Sequence, residues 1–203
     1  MRQAGQESWQ IREDRWIQHF ECALWIRAAE RIDVQAGGIV PGPLLIDPLP
    51  APSPGLDLAA LGEQWLAWWR VLCELPEWSP ADGGSPALAA HSGPEFDGLG
   101  GQPLLREVLR HRWPQARQWH SDRKRAGIAD RVFWRGPLAA SVVAEVERVN
   151  GRKARPFVLA IDVLPVADQE IRPIGEARFL VPEAVRDGAD WAHVLRGLVE
   201  PLA

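Results

Sequence analysis

Three tryptophans within five positions constrain this chain more than any other feature, because large indole rings need an interior to pack into. They are Trp65, Trp68 and Trp69. Asp57 is well suited to cap a helix and Pro76 to end one, and the apolar residues between them recur at spacings of three and four. This pattern predicts a helix over 57–75 that is apolar around most of its circumference. We therefore expect it to be either the central helix of the fold or an oligomer interface.

The rest of the chain predicts an α+β protein with a small C-terminal β-sheet packed against several helices. The chain of 203 residues, 46% of them hydrophobic, is consistent with a single globular domain over 1–203. A helix is predicted over 8–28, and the apolar stretch 157–166 predicts a central strand. The proline- and glycine-rich stretch 76–103 predicts a long loop.

The stretch 137–149 fits two structures. Its valines match a helix that begins at Pro137, but they also alternate with Glu145 and Glu147 as in a strand. Its β-branched residues and the Asn150-Gly151 turn that follows favour the strand slightly. In the preceding region, two short helices are predicted, over 104–112 and from Pro114 onward.

Charge is strongly segregated along the chain. Residues 33–97 hold nine acidic side chains and one basic one, whereas residues 98–156 hold thirteen basic and five acidic ones. Arginines interleaved with aromatic rings over 106–135 are typical of surfaces that bind single-stranded nucleic acid, and an acidic protein partner would use the same residues. The predicted binding residues are Arg110, Arg112, Trp113, Arg117, Trp119, Arg123 and Arg131. The alternative is that the two segments neutralise each other within the fold.

Catalytic motifs are scarce. The chain has five histidines, and neither its serines nor its glycine pairs lie in a recognised nucleophile or phosphate-loop motif, so no catalytic residue, metal or cofactor is predicted. The weakest alternative is a metal-dependent hydrolase or nuclease built on Asp162 with Glu145 or Glu147, whose side chains would have to converge on one ion.

These observations rank three hypotheses for function. The first is a non-enzymatic interaction protein that binds a protein partner or self-associates. Single-stranded nucleic-acid binding is the second hypothesis, and the metal-dependent hydrolase is the third. No apolar segment resembles a signal peptide or a membrane span, and the two cysteines need not be paired, so we expect a cytoplasmic protein that does not enter a membrane.

Overall fold

The fold combines a four-stranded sheet with helices on both of its faces, which confirms the α+β class. The computed structural model describes residues 9–75, 86–129 and 138–203. Among these residues, no helix is both long enough and apolar enough to cross a membrane. The strands are β1 (Trp9–Asp14), β2 (Phe157–Leu164), β3 (Arg172–Gly175) and β4 (Arg178–Pro182). The helices are α1 (Gln18–Ala29), α2 (Leu58–Glu74), α3 (Pro86–His91), α4 (Pro103–Ala129), α5 (Leu138–Asn150), α6 (Glu183–Arg186) and α7 (Trp191–Val199).

The tryptophan-rich helix α2 lies where the sequence predicts it. The Asp57 side chain caps it by accepting a hydrogen bond from the backbone N–H of Ala60 at 3.0 Å. Trp65, Trp68 and Trp69 are all buried within the single chain, and each indole N–H donates to a backbone carbonyl at 2.8–3.1 Å. A buried indole N–H usually finds an acceptor, because leaving it unpaired costs free energy. Helix α2 is therefore a core element, and its tryptophans form no oligomer interface.

The sheet has the strand order β1-β2-β4-β3, in which β1, β2 and β4 are parallel and β3 is antiparallel to β4. Side chains alternate between its two faces along β2. Ile161 and Val163 pack with α5 and α7, whereas Leu164 packs with α1, α2 and α4. The protein thus has three layers, with the strand 157–166 central as predicted.

The predicted helix over 8–28 is wrong in its first half, which forms β1. Trp9 and Ile11 alternate with polar residues and pack against the side of the sheet that α5 and α7 cover, and Trp9 stacks on Phe157 with the ring centroids 6.3 Å apart. The partner strand β2 lies more than 140 positions away along the chain. A local helical pattern cannot reveal such a partner, which decides the structure here.

The slight preference for a strand over 137–149 is also wrong, because this stretch forms α5. Val142, Val143 and Val146 share one face of the helix and are buried against the sheet. Burial of this face outweighs the modest helix penalty of β-branched residues.

Helix α4 replaces the two short helices predicted around Pro114. The proline is exposed within one continuous helix, Pro103–Ala129. The predicted loop over 76–103 is only partly described, since 76–85 lie outside the described residues. Its remainder contains α3 and a short 3-10 helix at Asp97–Leu99.

Candidate functional site

Helix α4 carries six of the seven predicted binding residues, but they do not form one open patch. Arg131 lies outside the described residues. Arg112 and Trp113 are buried, whereas Trp119 and Arg123 are half-buried. Arg110 and Arg117 remain exposed. The basic segment is therefore divided between the interior and the surface.

The Arg112 side chain makes structural contacts inside the molecule. Its guanidinium forms a buried ion pair with Glu30, the C-cap residue of α1, and donates to the backbone carbonyl of Ala51 at 2.6 Å. The Glu30 carboxylate also accepts from the backbone N–H and the hydroxyl of Ser53, at 2.7 and 3.0 Å. These bonds tie the irregular segment 50–53 to α1 and α4. Each of the three guanidinium nitrogens of Arg112 donates inside the molecule, so its contact with a partner stays a prediction.

Trp113 has no open ring face on which a base could stack. It is buried and meets Phe96 edge-on, with the ring centroids 5.0 Å apart. Trp119 packs against the same core with part of its ring. Stacking on a nucleic-acid base needs an exposed ring face. Trp113 is therefore excluded from such a surface.

Arg123 belongs to an ion-pair network at the end of β1. It donates to the buried carboxylate of Glu21 at 2.8 Å and to Glu183 of α6, while His120 contacts the same Glu21 at 2.9 Å. Arg15 extends the network through a 2.5 Å contact with Asp187. Opposite charges at these distances neutralise each other and form charge-assisted hydrogen bonds. The network joins α1, α4 and α6 at the carboxyl ends of the parallel strands.

The acids that neutralise the basic segment come mainly from outside 33–97. Within that range, Asp97 pairs with Arg106 at 2.5 Å, and Glu95 offers only its backbone carbonyl to Arg110. Among the described residues, the exposed carboxylates of Asp33 and Glu63 have no ion-pair partner. The acidic segment 33–97 thus keeps exposed carboxylates that the basic segment 98–156 does not neutralise.

The carboxylates proposed for a metal site do not converge. Asp162 is buried on the face that α2 covers, where it pairs with Arg178 at 2.7 Å. Glu145 and Glu147 lie on α5 over the opposite face, paired with Arg196 and Lys153. No group of three or more potential metal ligands occurs in the described ranges.

Both thiols are free and buried. Burial raises the pKa of Cys22, and it raises the pKa of Cys73 to about 12. A thiolate is the reactive form of cysteine, so neither residue is suited to act as a nucleophile.

An apolar pocket of about 530 Å³ lies between the first half of α2 and residues 33–35. Its apolar lining consists of Val34, Leu58, Ala59, Gly62 and Leu66. Asp33 and Glu63 stand exposed among its lining residues. Such a pocket accepts an apolar group and places two carboxylates beside it.

A second apolar pocket, of about 400 Å³, shares Asp33 with the first. Its apolar lining consists of Leu24, Ala28, Ile32, Pro43, Leu44 and Leu49. Arg27 and Arg31 also line it, but their guanidinium groups donate to backbone carbonyls, Arg27 to Val34 at 2.5 Å and Arg31 to Pro50 at 3.1 Å. We call the two pockets together the leucine groove, because Leu49 and Leu58 are 46% and 43% exposed in it.

The leucine groove is absent from the sequence-based predictions. Leu44 and Leu49 lie in a stretch that proline interrupts, where no periodicity identifies a buried or an exposed side. The available signal was the excess of acids over 33–97, of which Asp33 and Glu63 are part. Comparisons with known protein families, with curated proteins and with solved structures find no match.

Proposed function

We propose that the chain is a cytoplasmic, non-enzymatic interaction protein that binds an apolar segment of a partner protein in the leucine groove. The observation that carries this proposal is the pair of adjoining apolar pockets with half-exposed leucines in their walls. Apolar side chains grouped around a concave surface are a common feature of interaction sites. The free, buried cysteines agree with a reducing compartment.

A protein partner fits this surface better than a small ligand does. A small ligand is enclosed by the walls of its pocket, whereas Leu49 and Leu58 line these pockets and are still half-exposed, which leaves apolar area for a larger partner. The segment 50–53 beside Leu49 is also held by Glu30 and Arg112, so one wall is anchored before a partner arrives. Preorganisation of this kind favours binding because less conformational freedom is lost.

Selection from a random 12-residue peptide library on the immobilised full-length protein tests the proposal. We expect enriched peptides rich in leucine, isoleucine or phenylalanine whose binding is lost in the variants Leu49→Asp and Leu58→Asp. Val149→Asp is the matched control, because Val149 is 67% exposed on α5, away from the groove. Binding that survives both groove variants, or the absence of any enriched peptide, would refute the proposal.

Self-association is a separate outcome of the same variants. If the partner segment belongs to a second copy, light scattering after size exclusion should show a dimer that Leu58→Asp converts to a monomer. A wild-type monomer that still selects groove-dependent peptides indicates a different protein as the partner.

A second candidate function is the binding of single-stranded nucleic acid, which one feature of α4 favours. Arg110, Arg117 and Lys124 recur every seven residues and are exposed, so they lie along one side of the helix. We expect a labelled oligothymidine to bind at low salt and to dissociate steeply as salt rises. The double variant Arg117→Gln/Lys124→Gln should weaken binding, and failure to bind at low salt would exclude this function.

A further inference from the structure

We infer that the partner segment in the leucine groove carries a lysine or arginine beside its apolar anchor, held between Asp33 and Glu63. This inference rests on the proposed function and identifies the chemistry of the partner at the pocket beside α2. The apolar lining of that pocket accepts the anchor, and the two carboxylates provide the complementary charge.

Charge complementarity is the first argument. Asp33 and Glu63 are exposed, and in the described part of the chain neither forms an ion pair. Arg27 is close enough for the Asp33 charge to raise its pKa, although burial lowers that pKa more strongly. Its guanidinium, however, donates to the carbonyls of Val34 and Pro41 at 2.5 and 2.7 Å. Both carboxylates therefore remain able to receive a cation from a partner.

The wider charge distribution gives the same result. Residues 33–97 carry nine acidic side chains and a single basic one, Arg70, and all residues that line the pocket beside α2 belong to this acidic segment. Four of the six arginines on α4 that could offset this field form ion pairs with other carboxylates. In the pocket beside α2 both charged lining residues are acidic, and a surface of one charge sign attracts the opposite sign and speeds its association.

A basic side chain also fits the shape of the pocket. Lysine and arginine have long apolar stems that can lie along apolar surface while the charged head stays near water. Val34 and Leu66 provide such a surface inside the cavity, and Asp33 and Glu63 stand exposed beside it. An acidic segment would instead place like charges beside one another.

The library selection on the full-length protein provides the test, and the amino-acid composition of the selected peptides is the measurement. Groove-dependent peptides, here defined by loss of binding to the uncharged variant Leu58→Ser, should be enriched in lysine or arginine next to an apolar residue. A synthetic peptide of the most enriched sequence should bind about twofold to fivefold more weakly for each of Asp33→Asn and Glu63→Gln. The salt dependence of its binding should decrease in the same variants.

Two control variants separate charge from shape. Glu107→Gln removes an exposed carboxylate on α4 outside the groove and should leave affinity unchanged. Gly62→Ala adds a methyl group 3.6 Å from Ile32 and 3.7 Å from Val34, an ordinary contact that preserves the fold while it narrows the pocket. Gly62→Ala should weaken the binding of every groove-dependent peptide, whatever the charge of that peptide.

The outcomes distinguish this inference from the proposed function. Groove-dependent peptides that are neutral or acidic, or that bind Asp33→Asn/Glu63→Gln as tightly as the wild type, would overturn the inference and leave the proposed function standing. The absence of groove-dependent peptides would overturn both.

Discussion

The buried ion pair between Glu30 and Arg112 gives the clearest quantitative prediction. Glu30 is fully buried at the end of α1, and its carboxylate is held by Arg112 and by the backbone N–H and hydroxyl of Ser53. Arg112 is buried as well and reaches the carbonyl of Ala51. The variant Glu30→Gln keeps the shape of the side chain but leaves the guanidinium charge without its counterion.

We expect Glu30→Gln to lower the free energy of unfolding by about 3–5 kcal/mol, because a buried charge that loses its partner retains its desolvation penalty. Domains of this size are stable by about 5–15 kcal/mol, so the loss is a large fraction of the total. With a urea m-value near 2 kcal/mol/M, a loss of 3 kcal/mol moves the midpoint by about 1.5 M. Tryptophan fluorescence reports the transition.

Two further variants complete the test. The double variant Glu30→Met/Arg112→Leu removes both charges and should recover about half or more of the loss. Asp122→Asn breaks the exposed pair with Arg125 and should leave the urea midpoint unchanged within error, because solvent screens that pair. If Glu30→Gln unfolds at the same urea concentration as Asp122→Asn, the assignment of Arg112 to the fold is wrong.

Three further predictions concern a buried histidine, a helix glycine and the two cysteines. Burial lowers the pKa of His19 from its usual 6.5 to about 3, so stability should be retained above pH 6.5 and fall as the pH drops toward 3. The fall attributable to this group is at most about 1.4 kcal/mol per pH unit, and urea titrations of His19→Leu should lack it. In Gly127→Ala, the new Cβ would lie 2.5 Å from Trp16, so the free energy of unfolding should fall by about 1–3 kcal/mol. An equal fall in a Trp16→Leu background would show that this contact is not the cause. Cys22 and Cys73 should react with a thiol reagent only after denaturation, and rapid labelling of the native protein would show that they are accessible.

Elements with strong local signals could be predicted from the sequence. For helix α2, the sequence provides the capping Asp57, a proline at position 76 that disfavours further helix, and an apolar pattern at helical spacing, all within about twenty residues. The central strand β2 is apolar over most of its length and has the composition of a strand buried on both faces. For these elements, local preference and tertiary burial favour the same structure.

Elements whose structure depends on a distant partner could not be predicted. Strand β1 pairs with β2 across more than 140 positions, and α5 is helical because Val142, Val143 and Val146 meet the sheet together. In both stretches the residues fit either a helix or a strand. Long-range burial then decides between the two, which a reading of local periodicity cannot detect.

The sequence by itself determined the α+β class, the buried tryptophan helix and the separation of acidic from basic residues. Only the tertiary structure decided which charges remain available. It pairs Arg112 with Glu30 and Arg123 with Glu21, and it leaves Asp33 exposed beside an apolar pocket. The physical reason is that the total charge of a segment depends on composition alone, whereas neutralisation requires atoms within a few ångströms, and folding alone sets those distances.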